Sequence, residues 1–208
     1  MKKIPLFKNF VTEDHVDLVS SVVERGTHWA NGPEIDIFEQ KLADFIGTKY
    51  CLVFNSGTSA GHALLESHEV KGKEVIVPSF TFIATSNTVL MAGGRPVFAD
   101  IETQNLGLFV ESVKEKITNN TVAVMPVHYG GRICDIDPLI NLVKSEKLLL
   151  IEDAAEALGS TYRGRRAGSF GDSAWFSFAP TKIVSSGEGG AIVTNDKKIY
   201  DKCRLLRS

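Results

Sequence analysis

Apolar residues fall at helical spacing near the start of the chain and in short unbroken runs after it, and this change of period divides the sequence. Val16, Val19, Val22 and Val23 recur behind Thr12-Glu13-Asp14, which offers an N-cap and acidic first-turn side chains. The spacing predicts a helix over 12–25. Pro33 opens a second helical pattern of Ile35, Phe38, Leu42, Phe45 and Ile46, and Gly47 is placed to end it. Both helices read as amphipathic.

From Tyr50 onward the apolar runs have strand length: 51–54, 75–77, 96–99, 122–125, 148–151 and 174–178. Helical patterns fill several of the intervals, at 58–68, 82–92, 110–117 and 135–146, and a last helix begins at Lys197 and runs to Ser208. Alternation of this kind predicts an α/β domain with a mostly parallel sheet covered by helices on both faces.

Composition narrows the partners. With 23 basic and 25 acidic side chains the formal charge is −2, which lacks the basic footprint of a nucleic-acid binder. Cys51, Cys134 and Cys203 are odd in number and widely spaced, with no CxxC pair, so a reducing cytoplasm is the expected setting. The opening Met1–Lys8 is basic but has no apolar core, so no signal peptide is expected. The longest uncharged run, Val75 to Gly94, carries Ser79, Thr81, Thr85, Ser86, Asn87 and Thr88 and is too polar for a membrane helix.

Ligands of open α/β sheets gather at the carboxyl ends of strands, so the polar residues after each apolar run are the candidate chemistry. Asn55-Ser-Gly-Thr-Ser-Ala-Gly-His62 is a glycine turn with hydroxyls leading into a helix, either a phosphate site or a plain capping turn. Glu152-Asp153-Ala-Ala-Glu156 puts carboxylates at a strand exit. Asp153 there can pair with a cationic ring nitrogen such as that of a pyridoxal cofactor, bind a metal, or cap a helix. Lys182 is the only Lys or Arg between Arg166 and Lys197, amid apolar, hydroxyl and glycine residues. It is either a solvated surface lysine or a buried-loop amine able to form a Schiff base, with Ser177 five residues earlier to hold a phosphate. His128 reads as a proton shuttle or as a packed, hydrogen-bonded histidine. Phe82 reads as a ring-stacking aromatic or as core.

Together these segments resemble the DegT-type family of pyridoxal-phosphate sugar aminotransferases, within the fold type I superfamily. The resemblance rests on Asn55-Ser-Gly-Thr-Ser-Ala60, Val77-Pro-Ser-Phe-Thr-Phe-Ile-Ala84, Ile151-Glu-Asp-Ala-Ala-Glu-Ala157, Phe176-Ser-Phe178, Thr181-Lys182 and Gly187-Glu-Gly-Gly-Ala-Ile-Val-Thr-Asn-Asp196. It covers nearly the whole chain, and its specificity lies in the joint order of the segments. It implies a mixed, mostly parallel sheet, the large domain of a fold type I transferase, with pyridoxal 5'-phosphate as cofactor and no metal. Lys182 is then the Schiff-base and proton-shuttling lysine, and Asp153 the partner of the pyridine nitrogen. Gly57, Thr58, Ser59 and Ser177 bind the phosphate, Phe82 covers the ring, and Glu156 sits beside the phenolic oxygen, where many relatives carry Gln.

The implied reaction moves an amino group from an amino acid, usually glutamate, to a nucleotide-linked keto-sugar, in a homodimer, for amino-sugar and surface-polysaccharide synthesis. Relatives with His at the lysine position deoxygenate sugars, so Lys182 points to transamination. Trp29-Ala-Asn-Gly32-Pro33 resembles the segment near the sugar-nucleotide entrance. Members of the family extend well beyond this length into a smaller C-terminal domain, which residues 1–208 lack. The expectation is therefore a fragment or a truncated chain with apolar surface left exposed, and the rival functional reading is a catalytically silent cofactor-binding or regulatory homologue.

Overall fold

The computed structural model describes residues 3–208, so Met1 and Lys2 of the opening segment lie outside the described residues. In chain order the elements are α1 (Glu13–Glu24), α2 (Pro33–Ile46), β1 (Tyr50–Phe54), α3 (Gly57–Ser67), β2 (Glu74–Pro78), α4 (Ala84–Met91), β3 (Arg95–Ala99) and α5 (Val110–Lys116). They continue with β4 (Thr121–Val124), a 3-10 turn at Tyr129–Gly131, α6 (Ile136–Glu146), β5 (Leu149–Asp153), β6 (Thr161–Tyr162), β7 (Arg165–Arg166), β8 (Ser173–Ser177), β9 (Gly190–Thr194) and α7 (Lys197–Arg207). Gly47 ends α2 at φ 87°, a left-handed conformation that glycine adopts without a Cβ penalty.

Seven strands form one sheet in the order β1-β9-β8-β5-β4-β2-β3. β9 runs antiparallel to both of its neighbours, and the other pairs are parallel. The sheet is therefore mixed and mostly parallel, as the alternation of runs implied. Two elements are absent from the sequence reading. β9 has only Ala191-Ile-Val193 as an apolar run beside glycines, which reads as loop, and β6–β7 is a short hairpin turning at Arg163-Gly164, both at positive φ.

Strand alternation sends side chains to two cores. Val75, Val77, Ile151, Trp175 and Ile192 face α3, α4 and Cys203 of α7. Ile76, Val124 and Leu150 face α5 and α6, while Cys51, Phe176 and Val193 face α2. Fully burying each such aliphatic side chain is worth about 1.5–3 kcal/mol. The three cysteines are free and buried.

The first helix departs from its pattern. α1 forms with Thr12 as N-cap, but none of its residues is buried, and Val16, Val19 and Val23 are exposed. Among the described residues its apolar stripe meets no partner. Among the described residues no helix is long and apolar enough to cross a membrane.

The start of α3 reaches the sheet because two positions lack side chains. A Cβ on Gly190 would lie 2.4 Å from the Ser56 carbonyl oxygen and 2.5 Å from the Gly57 nitrogen. A Cβ on Gly57 would lie 2.8 Å from Ser177 Cβ. Backbone cannot yield as a flexible side chain does, so Gly190→Ala is expected to lower the unfolding free energy by about 1–3 kcal/mol. Urea denaturation reads this directly, and an unchanged midpoint would mean that α3 does not press on β9.

Candidate active site

A cavity of about 410 Å³ opens at the carboxyl ends of the parallel strands, on the α3–α4 side of the sheet. Each wall is built from a strand or from the segment that follows it. Ser56, Gly57 and Thr58 come after β1, Thr81, Phe82 and Thr85 after β2, and Val127 and Tyr129 after β4. Asp153 and Glu156 come from the end of β5 and beyond, and Trp175, Ser177 and Lys182 from β8 and the loop that follows it. Of the residues singled out from sequence, Gly57, Thr58, Phe82, Asp153, Glu156, Ser177 and Lys182 all line this space.

Ser59 lies apart from them. It lines a neighbouring groove of about 1050 Å³ with Trp29, Asn31 and His62. Its N–H donates to Ser56 Oγ at 3.0 Å, and its hydroxyl receives the Ser56 hydroxyl at 3.0 Å. The Trp29–Asn31 segment thus adjoins the start of α3 rather than the cavity itself.

Ser56 caps α3, which leaves the first N–H groups of the helix to be accounted for. Ser59 N–H is held by the cap and Ala60 N–H by the Ser56 carbonyl, at 3.1 Å. Among the described residues, the N–H groups of Gly57 and Thr58 donate to no protein acceptor. Helix starts of this form favour an anion. Ser177 Oγ lies beside Gly57, 3.1 Å from where a Cβ would stand, and is a hydroxyl at the same end of the cavity.

At another wall Asp153 is buried with its carboxylate held in place. Oδ2 accepts the Thr85 hydroxyl at 2.7 Å and Oδ1 accepts the Ala155 N–H at 3.1 Å. Burial raises the carboxyl pKa above its ordinary value, against the hydrogen bonds from Thr85 and Ala155 and the charges of Lys182 and His128, which lower it. A cationic N–H placed against this carboxylate would relieve that desolvation. The cavity therefore offers free N–H donors and a hydroxyl for an anion, and a buried carboxylate for a cationic ring nitrogen. With an amine also present, the donor set fits pyridoxal phosphate.

Lys182 corrects part of the sequence reading. Its side chain is mostly buried, but the surrounding loop is not, for Ile183 is 70% and Val184 49% exposed. The amine does not stand isolated among apolar groups, because Nζ donates to Glu156 Oε1 at 3.2 Å. Glu156 Oε2 in turn accepts the Gly130 N–H at 2.8 Å. Phe82, at 70% exposure, is a bare aromatic at the cavity wall and not core.

Of the two readings of His128 the structure supports the packed one. The ring is wholly buried, outside the cavity lining, with Nε2 2.9 Å from Glu152 Oε2. Burial opposes a charge on the imidazole, while the hydrogen-bonded Glu152 carboxylate favours one. Glu152 points away from Asp153, because consecutive strand residues face opposite sides of the sheet. Glu152 thus does not join Asp153 and Glu156 in the cavity, and among the described residues no group of three or more His, Cys, Asp or Glu is placed to hold a metal ion.

Thr81 and Thr85 were missed as site residues. Their hydroxyls are 2.8 Å apart and lead to Asp153, and their i,i+4 spacing after Pro78 was the available signal. Tyr129 and Trp175 were also missed as cavity walls, since an apolar run does not disclose which of its aromatics meets a void.

The match to known proteins extends over the whole architecture. The chain is 47% identical over 171 residues to the GDP-perosamine synthase of Caulobacter vibrioides, covering 82% of this chain and 46% of that protein. The Helicobacter pylori aminotransferase PseC, involved in pseudoaminic acid biosynthesis, superimposes with a TM-score of 0.93 at 30% identity, over 100% of this chain and 56% of that one. The Streptococcus pneumoniae protein Spr1654, in its PLP-form, gives a TM-score of 0.92 at 27% identity, over 98% of this chain and 57% of that one. The chain spans about half the length of the curated relatives it matches. The fold is that of the fold type I pyridoxal-phosphate aminotransferases. A family profile matches residues 10–208, and the chain belongs to the DegT/DnrJ/EryC1/StrS aminotransferase family.

Proposed function

We propose that this chain forms the pyridoxal-phosphate site of a sugar aminotransferase, which moves an amino group from an amino acid, glutamate in our reading, to a nucleotide-linked keto-sugar for amino-sugar and polysaccharide synthesis. The observation that carries the proposal is the convergence of three features on one cavity: the Lys182 amine, the buried Asp153 carboxylate and the free N–H groups at the start of α3. When bound, pyridoxal phosphate supplies an electron sink for negative charge at the carbon that bears the amine.

In this reading Gly57 and Thr58 bind the phosphate through their N–H groups, with the Ser177 hydroxyl as a further donor. Ser59, engaged by Ser56, shapes the helix start. Asp153, aligned by Thr85, keeps a proton on the ring nitrogen, and the exposed Phe82 ring covers one face. Glu156, anchored on Gly130, holds Lys182 Nζ in the cavity and would face the phenolic oxygen of a bound cofactor. Lys182 Nζ moves the proton that transamination must transfer at the reacting carbon. The groove lined by Trp29 and Asn31 adjoins this site and is assigned to the sugar nucleotide. Donor and acceptor use the same amine-carrying site in turn, so ping-pong kinetics follow. The domain that the relatives' greater length implies completes the site in a homodimer, a reading supported by the exposed stripe of α1 and the exposed Phe80, Phe82 and Ile83 near the cavity.

Two experiments test the proposal. Borohydride treatment after addition of pyridoxal phosphate is expected to leave a covalent adduct on Lys182, located by peptide mapping, and L-glutamate is expected to bleach the visible band beforehand. Lys182→Ala should abolish the adduct, and a folded wild-type chain without it would refute the site.

The second concerns Asp153. A carboxyl whose pKa is raised on folding binds its proton more tightly folded than unfolded, so its contribution to stability falls as pH rises above the ordinary aspartate range. Without cofactor, Asp153→Asn is expected to be more stable than wild type at neutral pH, with the gap closing on acidification. Added pyridoxal phosphate should stabilise wild type more than the variant. Urea titrations at several pH values read both effects, and a less stable cofactor-free variant at neutral pH would contradict the account.

A further inference from the structure

Glu152 and His128 form a buried polar cluster that touches no part of the cavity, yet Glu152 precedes Asp153 on β5 and His128 opens the turn that carries Tyr129 and Gly130 to the cavity wall. Glu152 is fully buried and receives four donors. Oε1 accepts the N–H groups of Phe170 and Gly171 at 2.7 and 2.8 Å, and Oε2 accepts the Gly168 N–H at 2.7 Å and His128 Nε2 at 2.9 Å. A carboxylate so surrounded is satisfied in charge and in hydrogen bonding, whereas an amide in its place would set a donor against donors.

His128 extends the cluster to the loop after β4. Its Nδ1 accepts the Cys134 N–H at 3.4 Å, so the ring ties the carboxyl end of β5 to both sides of this loop. The backbone adds His128 N–H to the Asp153 carbonyl at 3.1 Å and Asp153 N–H to the Pro126 carbonyl at 2.9 Å. The same loop places Tyr129 in the cavity wall and presents the Gly130 N–H to Glu156, which holds Lys182. One continuous chain of contacts thus runs from Glu152 through His128 and Gly130 to Glu156 and Lys182.

We infer that His128 and Glu152 are positioning residues that set the Asp153 carboxylate and the Glu156–Lys182 pair in fixed relation from the opposite face of the sheet. Neither acts as a proton relay, because neither reaches the cavity. The imidazole serves as a rigid donor between a strand end and a loop. An alanine there would leave one Glu152 oxygen short of a donor and the loop held to β5 by backbone bonds alone. This inference rests on the pyridoxal-phosphate reading of the cavity.

The test uses the full chain with His128→Ala, His128→Asn and His128→Gln. Each is assayed for folding by circular dichroism, for pyridoxal-phosphate affinity and visible spectrum by titration, and for hydrogen exchange at the Gly130 amide without cofactor. His128→Ala is expected to speed Gly130 exchange, weaken cofactor binding by about tenfold and shift the visible band. His128→Gln, whose amide can reach Glu152, should restore most of each, and the shorter His128→Asn should not. If His128→Ala fails to fold, the contrast between Gln and Asn carries the same decision. Equal affinities, spectra and Gly130 exchange in all folded variants, with only the melting temperature lowered, would reduce the cluster to core packing and overturn the inference. Failure of the wild-type Lys182 adduct would sink the cofactor reading separately, while Gly130 exchange in the cofactor-free chain still decides whether His128 anchors the loop.

Discussion

A strand that ends in two consecutive carboxylates must send them to opposite faces of its sheet, and the whole site depends on how this chain meets that constraint at Glu152 and Asp153. Charge buried in a protein interior persists only where donors surround it. Glu152 finds three backbone N–H groups and an imidazole beneath the sheet. Asp153 finds one hydroxyl and one N–H above it and remains under-satisfied. The first is a structural anchor. The second keeps an unmet demand for a cation, the chemistry from which a cofactor seat is made.

The other half of the cavity depends on close approach of backbone. Reversal of β9 between β1 and β8 brings Gly190 against the Ser56–Gly57 turn, and that contact sets α3 with its free N–H groups beside Ser177. The anion end and the cation end thus arise from two unrelated devices. One is the packing of glycines at the α3–β9 contact, and the other is the pleat of β5. They meet in one cavity because six strands share a direction and deliver their loops to the same edge.

Glu156 fixes the Lys182 amine in the same cavity. With one oxygen on the Gly130 N–H and the other on the amine, it defines where Lys182 waits while the loop around it stays open to solvent. The exposed Phe82 beside it is apolar surface left uncovered at the cavity wall, as befits a position that awaits a planar partner.

The sequence by itself determined the alternation of strands and helices, the helix limits to within a residue or two, and the presence of most cavity residues at strand exits. Local period and local turn chemistry encode those features. It could not show the direction of β9, because a three-residue apolar run among glycines carries no record of which neighbours it will join. Nor could it separate Glu152 from Asp153, since adjacent acidic letters look alike until the pleat assigns each a face. The amphipathic pattern of α1 was legible, but whether its stripe finds a partner is a tertiary fact, and among the described residues it finds none. The pairing of Lys182 with Glu156 and the Thr81–Thr85–Asp153 relay join loops far apart in sequence. Only folding brings such groups within hydrogen-bonding distance, so only the tertiary structure decided what each one touches.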